Sequence, residues 1–333
     1  MTFTISANGY SISLDSKESG ADIDFISHAH TDHMGAARSS ASVLSSRETS
    51  YLIEKTYGIK VNACKDMPEG VKLLDAGHML GSSQLSVTDN ETCSRIVYTG
   101  DYLLQRSRVA NPIAIEDADT VIIDSTYPDP KIEFEDREEV ERSIQLWART
   151  KLKAGTLLFG AYTLGKSQEL VAILNEIGIE PIMSKKLAMA TDAYNDLGMG
   201  LRYQSVYSED FNRSLISENE VGIVESNSLE KVATMLSGLN GRRVYTAVAT
   251  GFAAIFKFNT DVQFQLSDHA DFRQCMEYIE RSKAKRVFTR GGGAKALAAT
   301  LRRRGYEAEV YGASTALSSN LVRTDASKAS GGD

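Results

Sequence analysis

Three histidines and one aspartate fall within six residues of this sequence: His28, His30, Asp32 and His33. Alternate residues of an extended segment point to the same side, so His28 and His30 can act together. Asp32 and His33 then turn toward a second position. Neutral imidazoles and carboxylates are the ligands that suit zinc and related divalent ions. The spacing H-x-H-x-D-H therefore suits a site for a pair of metal ions.

The remaining two histidines of the chain, His78 and His269, lie in segments that are also rich in aspartate and glycine. Two further carboxylates, Asp101 and Asp124, lie at the ends of apolar segments that read as strands. Each of the five histidines thus has a carboxylate or a glycine turn beside it. This distribution predicts that all five contribute to one site.

The first 127 residues, which carry most of these side chains, read mainly as short strands joined by turns. The N-terminal segment Thr2–Leu14 alternates polar and apolar residues around Asn8-Gly9, a strong short signal for a β-hairpin. Further strands are expected at Val71–Leu74, Gln84–Thr88, Arg95–Thr99 and Thr120–Ile123. Two of these strands would deliver Asp101 and Asp124 to the site.

Beyond residue 127 the pattern changes to alternating helices and strands. An amphipathic helix is expected over Glu135–Lys153, followed by a strand at Thr156–Phe159 and a helix over Lys166–Ile177. The Ser/Ala/Gly-rich segment Ser318–Asp333 is expected to fray. We therefore expect an α/β protein with three segments along the chain: 1–127 and 255–333 as two parts of one module, and 128–254 as an insert.

The composition excludes several classes of protein. The 333 residues, 42% of them hydrophobic and 24% charged, are enough to bury a sizeable core. The net charge of −7 gives no overall attraction for nucleic acid, although a metal centre can supply local positive charge. No apolar run approaches the roughly 18 residues of a membrane span, and Met1–Tyr10 lacks the pattern of a signal peptide. The three cysteines are scattered and read as reduced core residues, so a cytoplasmic protein without membrane contact is expected.

Two sets of motifs resemble those of a known family. The segments His28–His33, Ala76–Ser82 and Tyr98–Asp101 are similar, in this order, to motifs of metallo-β-lactamase-fold hydrolases. Three others resemble motifs of the β-CASP nucleases, in particular ligase-associated DNA exonucleases and archaeal exonucleases of the mRNA 3′-end-processing type: Asp124–Tyr127, Tyr162–Leu170 and Leu266–Asp271. The resemblance covers roughly residues 25–305. It implies a metallo-β-lactamase αββα sandwich with an inserted α/β β-CASP domain.

The resemblance implies two zinc ions, with Mn²⁺ as an alternative. The ligands that it implies are His28, His30 and His78 for one ion, Asp32 and His33 for the other, and Asp101 for both. Two divalent ions lower the pKa of a water and stabilise negative charge that develops on an attacked phosphodiester. The implied chemistry is hydrolysis.

Catalytic roles follow from the same resemblance for Asp32, His269 and Asp124. His269 would face the scissile phosphate as a general acid or as a partner of the developing oxyanion. Asp124 would orient it, because a carboxylate fixes the imidazole tautomer and keeps the ring protonated. We therefore expect a zinc-dependent nuclease that acts on single-stranded RNA or DNA, as an exonuclease in RNA processing or DNA repair.

Arg290 departs from the family pattern. Members that act on RNA usually have a further histidine in this segment, whereas an arginine stays protonated and cannot bind a metal. Arg290 would then hold a substrate phosphate through two hydrogen bonds, or the second metal site would be weak or empty. Because members that act on DNA tend not to keep that histidine, the departure favours DNA modestly.

The segment Gly160–Ser167 supports a different function, since it matches G-x-x-x-x-G-K-[ST] between a predicted strand and a predicted helix. An ATP-binding protein is therefore a rival, although no convincing acidic strand end for Mg²⁺ follows it. Helix N-terminal amides and Lys166 suit any phosphate, including a nucleic-acid backbone. Ser82 is a further candidate for a phosphate contact.

Two more functions are compatible with the metal-binding motifs. A small-molecule hydrolase of this fold would normally lack the insert and the pair formed by Asp124 and His269. A catalytically silent subunit would usually lose several metal ligands, whereas one position departs here. The sequence does not determine the direction of cleavage or the oligomeric state, and a homodimer is one of the states that it allows.

Overall fold

The computed structural model describes residues 4–17, 20–127, 129–205, 220–240, 243–312 and 316–318. The α-helices in these ranges are α1 (Arg47–Tyr57), α2 (Arg137–Lys151), α3 (Lys166–Asn175), α4 (Lys185–Asp196), α5 (Leu229–Asn240), α6 (Phe272–Arg281) and α7 (Ala294–Arg303). None of them is both long and apolar enough to cross a membrane. The α/β class predicted from the sequence is confirmed.

The first sheet has the strand order β17-β1-β2-β3-β4. Its strands are β1 (Thr4–Ala7), β2 (Tyr10–Leu14), β3 (Ile23–Phe25), β4 (Val43–Leu44) and β17 (Ala316–Ser318). The predicted hairpin is present, since β1 and β2 pair antiparallel across Asn8 and Gly9, whose φ angles are 52° and 81°. Positive φ at both positions is what a two-residue turn of this kind requires.

The second sheet has the order β16-β15-β8-β7-β6-β5 and packs against the first. Its strands are β5 (Val71–Asp75), β6 (Ser83–Thr88), β7 (Arg95–Tyr98), β8 (Thr120–Asp124), β15 (Arg286–Arg290) and β16 (Glu307–Val310). Ile12 and Phe25 of the first sheet share one hydrophobic cluster with Leu85 and Ile122 of the second. The opposite face of the second sheet is covered by α6 and α7.

The third sheet is entirely parallel and has the order β11-β10-β12-β9-β13-β14. Its strands are β9 (Thr156–Ala161), β10 (Ile182–Met183), β11 (Gln204–Ser205), β12 (Val221–Glu225), β13 (Val244–Ala249) and β14 (Val262–Phe264). Helices α2, α3 and α4 cover one face, and α5 covers the other. The burial of both faces explains why β9 reads as a continuous apolar run rather than as an alternating one.

Helix α1 joins the third sheet to the first two. It contacts α4, and its Leu52 and Ile53 belong to the same hydrophobic cluster as Phe159 of β9. The Tyr51 hydroxyl also donates to Asp196 over 2.7 Å. This cluster packs the third-sheet layer against the sandwich formed by the first two sheets. A cleft lined by residues of both lies between them.

The sequence prediction did not include helices α4 and α5 or the short strands β4, β11, β16 and β17. The two missed helices contain Gly, Thr or Met within mixed apolar patterns, so their periodicity is weak. All three cysteines are free as predicted, but Cys93 is exposed and Cys64 is half-buried, so only Cys275 is a core residue. Apart from Ser318, the segment predicted to fray lies outside the described residues.

Candidate metal centre

The side chains predicted to do chemistry converge where four strands end. His28 follows β3, Asp101 follows β7, Asp124 ends β8 and Arg290 ends β15. Strands β7, β8 and β15 are parallel, so their carboxyl ends meet at one edge of the sheet. A cleft of about 820 Å³ opens there and is bounded on its far side by Tyr162–Leu164 of the third-sheet layer.

Gly100 allows the loop after β7 to approach the histidine segment. Its φ of 57° is strained for other residues, and a Cβ atom there would lie 2.7 Å from the Cβ of Ser27. The tight approach places Asp101 beside His28. A glycine is therefore required directly before this carboxylate.

His28, His30 and His78 form a first candidate ligand group, in which one imidazole nitrogen of each residue faces the other two. His30 Nδ1 lies 3.0 Å from His28 Nε2 and 3.1 Å from His78 Nε2. His28 and His78 are buried, and His30 is half-buried. This group is one of three in the described residues whose ligand atoms are close enough to hold a metal ion.

The opposite nitrogen of each ring determines its tautomer. His30 Nε2 is 3.2 Å from the Leu164 carbonyl, and His78 Nδ1 is 2.9 Å from the Asp268 carbonyl, so both nitrogens must donate. The Ser27 hydroxyl donates to Asp15 over 2.8 Å, so it accepts from His28 Nδ1. Each neutral ring therefore directs a lone pair at the common centre. Three converging acceptors fit a divalent cation, and the outer donations are typical of metal-binding histidines.

The environment keeps these rings in the form that binds a metal. Burial, together with the neighbouring histidines, holds the pKa of His28 well below its usual value and lowers that of His78 to about 3. Burial also lowers the pKa of His30. Neutral imidazole is the form that coordinates a metal, so this group fits zinc without first losing a proton.

Asp101 lies at the centre of the whole cluster. Its Oδ2 is within 4.0 Å of four imidazole nitrogens, those of His28 (3.7 Å), His33 (3.4 Å), His78 (4.0 Å) and His269 (4.0 Å). Burial opposes its ionised form, but the surrounding histidines lower its pKa below the usual range. One carboxylate oxygen shared among four rings is suited to bridging two ions.

A second group contains His28, His33 and Asp101. His33 Nδ1 is hydrogen-bonded to Asp15 Oδ2 over 2.9 Å, which leaves Nε2 facing Asp101. Burial opposes protonation of His33, but Asp101 and Asp15 raise its pKa to about 10. Asp32 is not part of any of the three groups: its side chain is 80% exposed, and its Oδ2 is 3.5 Å from His33 Nε2.

His269 lies at the edge of the cluster and is oriented by Asp124. Its Nδ1 is 3.0 Å from Asp124 Oδ2, and its Nε2 faces Asp101. Burial opposes the charged form, but Asp101 and Asp124 raise the pKa of His269 to about 9. His269 also forms a third candidate ligand group with His78 and Asp101.

Comparison with known proteins adds three relatives. A probable DNA ligase of Opitutus terrae is 32% identical over 300 residues, which are 86% of this chain and 28% of the ligase. The transcription termination factor FttA of Methanosarcina mazei is 22% identical over 308 residues, 73% of this chain and 48% of the factor. An uncharacterised protein in the lig 3′ region of Acidianus ambivalens is 33% identical over 139 residues, 41% of this chain and 93% of that protein. No family model matches the chain.

This chain belongs to the metallo-β-lactamase-fold β-CASP family. It spans less than half of the length of the ligase and of the termination factor that it matches. The family resemblance read from the sequence is thus confirmed.

Among the predicted substrate contacts of this β-CASP chain, Arg290 lines the cleft beside the second group. Its Nη1 donates to the Tyr98 hydroxyl and to the Leu14 carbonyl, 3.3 Å away. Burial lowers its pKa, but Tyr98, Asp15 and Asp101 together raise it. The guanidinium is therefore a fixed cation close to the second candidate ligand group.

The side chains of Ser82 and Lys166 are both bonded to other groups of the protein. The Ser82 hydroxyl is buried and accepts from the backbone amides of His78 and Met79. The Lys166 ammonium is 3% exposed and donates to Glu169 over 2.9 Å and to Asp268 over 2.6 Å. Ser167 donates to the Thr163 carbonyl. A P-loop needs its lysine and its serine for phosphate and Mg²⁺, whereas here both bind protein groups.

Lys166 is one member of a buried ion-pair network that sequence reasoning missed. Arg137 of α2 pairs with Glu169 of α3 and donates to the Ser267 carbonyl over 2.6 Å. Its guanidinium is 3.7 Å from Asp268, whose backbone carbonyl accepts from His78. The network thus connects α2 and α3 to Ser267 and Asp268, the two residues that precede His269, and through the Asp268 carbonyl to His78.

Asp15 is a second functional residue that the sequence did not reveal. It follows β2 with a φ of 46°, and its buried carboxylate accepts from Ser27, His33 and the Tyr98 hydroxyl. Burial opposes ionisation, yet His33 and Arg290 lower its pKa. The only signal for Asp15 in the sequence is its position directly after Leu14, at the end of a predicted strand.

The histidine geometry predicts which substitutions weaken the binding of an added divalent ion, for which zinc is the probe. We expect His30→Ala and Asp101→Ala to lower the zinc retained after dialysis, because each removes a group that faces the common centre. Metal content is measured by plasma mass spectrometry on purified protein. Asp66→Ala is the control, since Asp66 is exposed and belongs to none of the three candidate ligand groups. Wild-type zinc content in both His30→Ala and Asp101→Ala would contradict this assignment.

The buried network predicts a large effect on stability. Arg137→Met should lower the free energy of unfolding by about 3–5 kcal/mol, because it leaves Glu169 and Asp268 with one buried cation fewer. Arg142→Met, on the same helix, removes an exposed pair with Glu138 and should cost no more than about 0.5 kcal/mol. Urea unfolding followed by circular dichroism measures both. Equal effects of the two substitutions would show that the network does not stabilise the fold.

Proposed function

We propose that this chain is a zinc-dependent nuclease that hydrolyses phosphodiester bonds in single-stranded RNA or DNA, acting as an exonuclease. The observation that carries the proposal is the position of the Asp124–His269 pair. His269 faces the same Asp101 oxygen as three of the candidate metal-binding histidines, inside one cleft. A metal cluster with a proton-carrying imidazole beside it is suited to phosphodiester hydrolysis.

In this proposal His28, His30 and His78 hold the first zinc, and His33 and Asp32 hold the second, with Asp101 shared. When bound, the ions would activate a water and stabilise negative charge on the phosphate. Mn²⁺ would be an alternative metal. Asp15 would keep His33 in place, and Arg290 would weaken the second site by adding a fixed positive charge.

The proton chemistry belongs to His269. Its Nε2 faces the cluster, while Nδ1 is held by Asp124, so a proton delivered from Nε2 can reach a leaving oxygen in the cleft. The Asp124 carboxylate favours the protonated form of the ring, which supports this role. Thr126 donates to the other oxygen of Asp124 over 2.8 Å, which fixes the carboxylate that orients the ring.

We propose that the architecture is the metallo-β-lactamase sandwich with a β-CASP insert, divided at 1–127, 128–254 and 255–333. The two packed sheets and the separate parallel sheet support this division. Strand β14 lies in the third segment but completes the insert's sheet beside β13. The cleft between the sandwich and this parallel sheet would receive the single-stranded nucleic acid.

The relatives support a nucleic-acid substrate. A DNA ligase and a transcription termination factor both work on nucleic acid. A role in DNA repair or in RNA processing is therefore part of the proposal, as is a cytoplasmic location. No observation in the described residues favours ATP, because Lys166 and Ser167 bind protein groups.

The proposal predicts nuclease activity that depends on His269. Matched RNA and DNA single strands, labelled at either end and incubated with Zn²⁺ or Mn²⁺, should be shortened progressively. His269→Gln should lower the rate by about 10²- to 10⁴-fold while zinc content stays at the wild-type value. Gel analysis of the products also gives substrate class and direction. No cleavage of either strand would contradict the proposal, and a loss of zinc in His269→Gln would make His269 a ligand instead.

The position of Arg290 predicts unequal metal sites. Zinc titration should show one tight and one weaker ion per chain, because the guanidinium repels a cation near Asp15 and Asp101. Arg290→His should tighten the weaker site, since it removes the charge and adds an imidazole. Arg290→Lys, which keeps the charge, is the control. Two equally tight zinc ions in the wild-type protein would contradict this part of the proposal.

A further inference from the structure

A series of aromatic rings leads from the metal cluster to the protein surface. The ring centroid of His269 is 5.9 Å from that of Tyr127, and Tyr127 is 5.2 Å from Phe252. Phe252 is in turn 6.0 Å from Phe256, and the two rings are tilted by 34°. We call Phe252 and Phe256 the aromatic ledge.

Exposure increases along this series. Tyr127 is 2% exposed, Phe252 is 37% exposed and Phe256 is 57% exposed. Ile255, between the two phenylalanines, is 45% exposed. Large apolar side chains that remain in water beside a cleft are typical of a binding surface.

The ledge does not owe its exposure to a loosely held loop. Phe252 lies on a 3₁₀ turn, Gly251–Ala254, which is capped by the side chain of Thr250, and Phe256 follows two residues after the end of this turn. The Gln263 side chain donates to the carbonyls of Ala253 and Phe256 and accepts from the Phe258 amide, each over 2.9 Å. The backbone therefore holds both rings outward, which lowers the entropic cost of binding a ligand on them.

Gly251 fixes how closely this turn approaches the catalytic groups. A Cβ atom there would lie 2.7 Å from the Ser267 hydroxyl and 2.8 Å from the Tyr127 hydroxyl. Ser267 in turn bonds to the backbone of His269. The ledge is thus packed directly onto the segment that carries the catalytic histidine.

The rest of the cleft has matching features. Tyr162, 55% exposed, lines the cleft together with Phe252. Lys186, which is exposed, also lines it, and the exposed Lys257 follows the ledge in sequence. Exposed aromatic rings interspersed with lysines are the combination that binds single-stranded nucleic acid without sequence preference.

We infer that the aromatic ledge stacks against unpaired bases of the strand whose phosphate lies at the metal cluster. This inference rests on the proposed nuclease function and specifies how the substrate is held. Every base has a flat apolar face, so stacking accepts any sequence. In a duplex these faces are covered by neighbouring base pairs. The ledge therefore selects a single strand, whether RNA or DNA.

A nucleic-acid occupant fits the ledge better than a second protein surface does. Two phenylalanine side chains bury at most about 300–500 Å² together. A specific protein interface needs about 800 Å² on each partner. The ledge is also continuous with the cleft through Tyr127, which a distant interface would not require.

Strands that keep their phosphates but lose their bases test this inference. The probes are fluorescent single strands of about 12 nucleotides. They carry cleavage-resistant phosphorothioate linkages, with either normal or abasic residues, and bind the zinc-loaded chain in an anisotropy titration. Phe256→Ala and Phe252→Ala should weaken binding of the normal strand by about five- to 150-fold and leave binding of the abasic strand unchanged. Phe256→Trp should retain affinity. Leu146→Ala, which removes a 68% exposed side chain from α2, is the control.

Each result separates the ledge from the proposed function. If the wild-type chain cleaves strands but Phe252→Ala and Phe256→Ala bind both probes as it does, the ledge inference is wrong and the nuclease stands. If both probes lose affinity equally, the rings act through folding rather than through bases, and the inference also fails. If Phe256→Ala converts a dimer into a monomer in sedimentation, the ledge is a protein interface instead. A chain that neither binds nor cleaves any strand would contradict the proposed function itself.

Discussion

The structure of the site depends on three unprotonated imidazole nitrogens that lie close together, one each from His28, His30 and His78. The Leu164 and Asp268 carbonyls can only accept, and the Ser27 hydroxyl is already committed to Asp15, so the outer nitrogens of the rings must donate. The inner nitrogens are then left 3.0–3.1 Å apart with no proton between them. Buried acceptors in such positions are costly unless a cation binds them. The three neutral rings are therefore arranged around a position for a positive charge, which a divalent ion would supply.

This constraint ties distant parts of the chain together. Leu164 belongs to the loop between β9 and α3, so the third-sheet layer helps to fix the tautomer of His30. Asp268 fixes His78 through its carbonyl, while its carboxylate joins the buried network of Arg137 and Lys166. The third-sheet layer therefore both bounds the cleft and holds His30 and His78 in place. Movement of this layer would disturb both the candidate metal-ligand groups and the binding of a single-stranded nucleic acid.

The sequence was informative where chemistry is local or a family motif exists. The five histidines, Asp101 and Asp124 were predicted to share a site, and in the structure they all line or adjoin one cleft. The ranges of α2, β6 and β8 were predicted to within two residues because their periodicity and end signals agree. Asp15 and the network around Arg137 could not be predicted, since each depends on residues more than 80 positions away. Lys166 looked like a phosphate ligand because a motif cannot reveal that Asp268 is its partner.

Anomalous diffraction at the zinc edge from a zinc-loaded crystal tests the central claim most directly. We predict a strong peak among His28 Nε2, His30 Nδ1 and His78 Nε2, about 2.0–2.1 Å from each nitrogen. We also expect His30 Nε2 and His78 Nδ1 to keep their contacts with the Leu164 and Asp268 carbonyls. A zinc peak elsewhere, with these three nitrogens empty of metal, would contradict the claim.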